Sequence, residues 1–147
     1  MNPSPEPSFA ARARALVQAG RVGALATHSR QRPGYPFGSV GPYAADEQGR
    51  PVFLISGLAL HTKNLEADPR ASLLLTPPEP EDDPLAAPRV TVLGEARRLD
   101  PSEAAADRAR YLAQHPSAAM WVDFADFAFW RLEVTGAYFV GGFGAMD

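Results

Sequence analysis

The chain contains no cysteine, so disulfides, thiolate metal sites and thiol catalysis are excluded. No apolar run approaches the roughly 20 residues that a membrane span requires. The N-terminal stretch MNPSPEPSFAARAR lacks the apolar segment and cleavage site of a secretory signal. No membrane partner is expected, and a cytoplasmic location is the default. A basic surplus is missing too: 14 Lys and Arg face 17 Asp and Glu, a formal net charge of −3. General nucleic-acid binding needs the opposite balance.

Self-contained catalytic constellations are also absent. His28, His61 and His115 are widely separated, with no His-x-x-x-His and no carboxylate at ligand spacing, so no metal is expected. No Walker A loop occurs, and Gly-Gly-Phe-Gly at 141–144 follows a terminal strand rather than opening a helix. Ser39 lacks the setting of a nucleophile elbow. No catalytic residue is assigned; any reaction would be brought mainly by a cofactor.

What is present is one domain of 147 residues, 1–147, with residues 1–7 read as flexible. Ser8 caps a helix over FAARARALVQA that Gly20 stops. Val22–His28, Phe37–Ala44, Pro51–Ser56, Ala71–Thr76 and Arg89–Leu99 read as strands. The second and third are expected to form a hairpin about Asp46–Gly49. Leu60–Ala67 reads as a short helix ended by Asp68-Pro69, and 77–87 as an exposed acidic, proline-rich loop. Asp100, Pro101 and Glu103 start a further helix that stops near His115-Pro116. A short helix is expected over Ala118–Asp126. A closing hairpin of Ala128–Val134 and Ala137–Gly141 is expected around Thr135-Gly136. The sum is a mainly β chain with peripheral helices, an α+β arrangement of six or seven strands in an antiparallel closed or split barrel.

Polar side chains gather at the ends of these elements between Gly34 and Leu75. Ser56 ends a strand, and His61-Thr62 open a helix, a grouping suited to a flavin phosphate. The alternative, equally open from spacing, is that Thr62 caps the helix and His61 faces solvent. Asn64 falls near the His61 face, while Lys63 lies about 200° around the helix and reads as exposed. Phe37–Val40, with small Gly38 and Ser39, offers a backbone edge for a flat ring. Arg89 is either a donor to that ring or a surface arginine at a loop exit.

Four segments in order carry a family resemblance: PFGSV, LISGLALHTKNLEADPRASLLL, PRVTVLGEA and FAFWRLEVTGAYFVGGFG. They resemble the pyridoxamine 5′-phosphate oxidase-like flavin-binding split barrels, and among these the haem-utilisation branch. The resemblance implies a six-stranded split barrel forming a homodimer, with FMN at the subunit interface. It places Phe37, Gly38, Ser39 and Val40 along the ring, and Ile55, Ser56, His61 and Thr62 at the phosphate and ribityl chain. Asn64 supports them, Arg89 contacts the ring, and Phe143 and Gly144 complete the site. The expected function is an FMN-dependent oxidoreductase acting on a small molecule. Alternatives are a haem-binding or haem-degrading protein, a non-catalytic flavin carrier or sensor, and a dimeric module without cofactor. Nothing printed after Gly144 matches the substrate-binding Arg and His of the oxidases. The haem-utilisation relatives continue past the matching GFG into a further domain, which is not expected here. The expectation is therefore set against both of those reactions.

Overall fold

The computed structural model describes residues 7–79 and 82–142. Helix α1 (Phe9–Ala19) begins where the Ser8 hydroxyl accepts a 3.1 Å hydrogen bond from the Ala11 amide. It buries Ala13, Leu16 and Val17 against the sheet. Seven strands follow: β1 (Val22–His28), β2 (Pro36–Pro42), β3 (Ala44–Ala45), β4 (Pro51–Ser56), β5 (Arg70–Leu75), β6 (Arg89–Arg98) and β7 (Phe127–Val140). Helix α2 (Leu60–Ala67) separates β4 from β5, and helix α3 (Pro101–Gln114) follows β6. At the start of α3 the Glu103 carboxylate accepts from the Asp100 amide at 3.1 Å, as the sequence suggests.

All strands pair antiparallel in one sheet ordered β2-β1-β5-β6-β7-β4-β3. β2 and β3 stand at opposite edges of that order, yet only Tyr43 separates them in the chain. The sheet must therefore curl back on itself, giving a half-barrel. Six strands are the family expectation; the seventh is the two-residue β3.

Three local expectations are corrected. The expected hairpin of the second and third strands is broken after Pro42: β2 pairs with β1, and only Ala44 and Ala45 pair with β4. Tyr43 causes the break by leaving the sheet, fully buried, with its hydroxyl on the Val17 carbonyl. The expected closing hairpin is a single 14-residue strand, β7. Leu93 pairs with Gly136 but Gly94 pairs with Val134, so Thr135 is the extra residue of a β-bulge. Gly94 permits the close approach, since a methyl there would run into the Glu133 carbonyl. The expected helix at Ala118–Asp126 is a 3-10 turn over Pro116–Met120.

Two apolar clusters result. Leu25, Phe53, Leu73, Leu75, Val90, Val92, Trp130 and Leu132 fill the inside of the curl beneath α1. Val52, Leu54 and Phe129 point the other way from β4 and β7 and pack against Tyr111, Ala118 and Val122. Each fully buried side chain of this size contributes about 1.5–3 kcal/mol. The described residues of the 77–87 loop are largely exposed, with Ala87 buried at its end.

Candidate functional site

Helix α3 covers the outer side of β4 and β7, while among the described residues no helix covers the outer side of β2, β1, β5 and β6. Cross-strand register lays two rows along it. One runs Val40, Ala24, Leu74, Thr91, Tyr138; the next runs Gly38, Ala26, Ser72, Leu93, Gly136. Directly opposed residues share a face, so apolar Val40, Leu74, Leu93 and Tyr138 all look outward and are exposed. Methyl groups added at Gly38 or Gly136 would meet nothing within 4 Å. Small residues thus form a shallow trough.

An open cleft of about 620 Å³ lies on this trough, within the range of ligand sites. Ala26, Pro36, Ala71 and Leu93 supply apolar wall; His28, Arg70, Glu95 and Thr135 supply polar groups. The Thr27–Ala71 pairing, carried one step further, sets His28 beside Arg70. Arg70 donates two hydrogen bonds to Asp68, at 3.0 and 2.7 Å. Those bonds hold the Asp68 carboxyl well below its usual range, with a smaller contribution from the nearby His28. The cleft therefore has an apolar floor and an edge where Arg70 stands between the Asp68 and Glu95 carboxylates beside His28.

Behind that edge sits Asn64, buried on α2. Its amide nitrogen donates to the Thr27 hydroxyl at 3.1 Å, and its carbonyl accepts from the Arg30 amide at 2.9 Å. The 29–35 loop is braced further by Ser29, whose amide donates to the Tyr35 carbonyl and whose hydroxyl accepts from the Arg32 amide, both at 3.0 Å.

Of the residues singled out from sequence, Gly38 and Val40 lie on the trough face and Asn64 behind its edge, and the others are placed as follows. Phe37, Gly38, Ser39 and Val40 lie on the edge strand β2, where the Ser39 hydroxyl donates to the Leu25 carbonyl at 3.4 Å. Ile55 is buried; the Ser56 hydroxyl donates to the Asp126 carboxylate at 2.7 Å and accepts from the Leu58 amide. His61 is half-buried, and burial lowers its pKa, favouring the neutral ring. Thr62 is buried, its hydroxyl without a partner among the described residues, and lines a cavity of about 150 Å³ with Ile55, Arg98 and Trp130. Arg89 donates to the Leu85 and Ala87 carbonyls, both at 3.3 Å. Phe143, Gly144 and residues 1–6 lie outside the described residues, so the expectation for the stretch 1–7 falls almost wholly there. From sequence, Asp68-Pro69-Arg70 reads as a helix stop with a surface or interface ion pair; the pair is present, and the cleft beside it has no local sequence signal. The small outward-facing residues Gly38, Ala26 and Ser72 line up only once the strand register is known.

Residues 4–147 match the family described as CREG, beta-barrel. The chain belongs to this family of pyridoxamine 5′-phosphate oxidase-like split barrels. It is 41% identical over 129 residues to the non-canonical heme oxygenase HOZ of Arabidopsis thaliana, a chloroplastic protein, covering 88% of this chain and 39% of that one. It is 40% identical to the heme binding protein from Mycobacterium smegmatis, with a TM-score of 0.90, covering 98% of this chain and 58% of that one. HutZ, the heme storage protein from Vibrio cholerae, shares the fold at 23% identity and a TM-score of 0.66. The chain thus spans between about two-fifths and three-fifths of the length of its two most similar relatives named here. Among the described residues no helix is long and apolar enough to cross a membrane.

These relatives overturn the expectation of bound FMN and of an FMN-dependent oxidoreductase, since those at 40–41% identity are named for haem. The structure gives a physical reason in the same direction. A phosphate dianion beside Ser56 would meet the Asp126 carboxylate, which already holds the Ser56 hydroxyl, and an imidazole whose burial disfavours the charged form.

Proposed function

We propose that this chain binds haem, using the cleft on the outer face of β1, β2, β5 and β6. The carrying observation is the 40% identity to the Mycobacterium smegmatis heme binding protein along 98% of this chain. The cleft residues fit the group. A haem needs apolar contact for its ring, cationic contact for its carboxylates and a donor for its iron. Ala26, Pro36 and Leu93 would supply the first, Arg70 the second and His28 the third. The trough left by Gly38 admits a flat ligand without a side chain in its path.

In this reading Arg70 neutralises and orients an anionic ligand edge, and Asp68 keeps its guanidinium in place. His28 presents an exposed imidazole whose ring makes no hydrogen bond among the described residues. Haem, when bound, supplies redox-active iron. The exposed Val40, Leu74, Leu93 and Tyr138 continue the same face, so we further propose a homodimer through it, as a six-stranded split barrel of this family would form, with the cleft at the junction. A cytoplasmic location belongs to this reading; HOZ itself is chloroplastic.

Hemin titrated into micromolar protein should produce a Soret band that saturates near one haem per chain. No spectral change would overturn the reading and leave a dimeric module without cofactor. The 41% identity to a heme oxygenase favours a second step, oxidative degradation of the bound haem. Loaded protein supplied with ascorbate and oxygen should then lose its Soret band and release iron; a stable band would restrict the chain to binding.

A further inference from the structure

The three histidines are not equivalent. The His115 ring nitrogen lies 2.8 Å from the Tyr43 carbonyl, and its ring packs 4.7 Å from that of Tyr111. His61 is half-buried on α2 and does not line the cleft. His28 alone of the three lines it, at the exposed end of β1, where a side chain would ordinarily sweep a wide volume.

The ladder pairs His28 with Pro36 on one side, and Asn64 braces the residues before and after it on the other. Asn64 is 3% exposed, and both ends of its amide are spent on the segment around His28. Thr27, one residue before, receives its donor; the Arg30 amide, two residues after, gives to its acceptor. Because a backbone N–H can only donate, the Arg30 contact fixes which end of the side-chain amide is oxygen. Neither bond caps α2, whose own closing contact is the Asp68 amide to the Asn64 main-chain carbonyl. An apolar side chain would fill this buried position at less desolvation cost, so the amide's partners indicate what it does.

We propose that Asn64 is a positioning residue for the cleft: it clamps residues 27–30 so that His28 presents its imidazole to the bound haem. The proposal rests on the haem reading above. Groups that orient a metal-binding imidazole alter affinity on the order of 10-fold or more when removed.

The test compares hemin binding by the wild type, His28→Ala, Asn64→Leu, the double variant and Thr27→Val, with circular dichroism and thermal melting of each protein without haem. Wild-type binding with a Soret band that His28→Ala shifts or abolishes is the starting requirement; its failure sinks the haem reading or the role of His28, not the clamp alone. Asn64→Leu should then shift the Soret maximum in the same direction as His28→Ala and weaken binding about 10-fold. In the double variant the two effects should not add, because both act through one imidazole. Thr27→Val keeps the shape but removes one anchor, and should give a smaller shift of the same sign; it serves also if Asn64→Leu does not fold. A wild-type spectrum and affinity in the folded Asn64 and Thr27 variants overturns the clamp. So does an additive loss in the double variant, which marks a general structural effect.

Discussion

The Tyr43 hydroxyl donates a 2.7 Å hydrogen bond to the Val17 carbonyl, tying the residue that joins the two sheet edges to helix α1. Burial pushes the phenol pKa far up, so the group remains a donor throughout the usual pH range. Tyr43→Phe leaves the Val17 carbonyl without this partner and should cost about 1–3 kcal/mol. Chemical denaturation will show it as a lower midpoint with an unchanged slope.

Two glycines separate stability from binding. Gly94→Ala drives a methyl into the Glu133 carbonyl at the bulge, and should destabilise by about 1–3 kcal/mol or more. Gly38→Ala meets nothing within 4 Å and should leave the haem-free melting within about 0.5 kcal/mol of wild type. It should nevertheless weaken hemin binding by narrowing the trough. The paired measurement is thermal melting against hemin titration.

His61 gives a pH dependence of known sign. Burial lowers its folded pKa below 6.5, so the unfolded chain binds the proton more readily. The contribution is fully present above the unfolded pKa. It is lost as pH falls through about 6.5 toward the folded value. Urea midpoints from about pH 8 to pH 5 should fall more steeply for wild type than for His61→Gln.

The apolar outer face predicts association. Leu74→Glu or Leu93→Glu should convert a dimer to a monomer in light scattering, with the far-ultraviolet dichroism unchanged, because both side chains are exposed in the single chain. A wild-type monomer at high concentration contradicts the proposed dimer.

Strands and helices with strong local signals were legible in sequence: Ser8 before α1, the Asp100-Pro101-Glu103 start of α3, and the alternation of Arg89–Leu99. The failures have a common origin. Thr135-Gly136 has the composition of a turn and forms a bulge, because a 10-residue neighbour, β6, pairs with β7 on both sides of it. Tyr43 leaves the sheet for a partner 26 residues away, which no local pattern encodes. The ligand class went wrong for a similar reason. Ser56, His61 and Thr62 are suitable side chains for an anion, but Asp126, far along the chain, takes up the Ser56 hydroxyl. Asn64 reads from sequence as a supporting residue, while the cleft it supports depends on the register of five strands.

The edge switch at Tyr43 also bears on synthesis. Among the described residues strand β4 has only the two-residue β3 and the late β7 as ladder partners. Leaving the ribosome, β4 must wait for residues 127–140, a delay of several seconds at about 5–20 residues per second. Until then Phe53 and Leu54 lack the strand that covers them. The nascent chain is thus most vulnerable to aggregation late in translation, and truncation ahead of Phe127 would leave that vulnerability permanent.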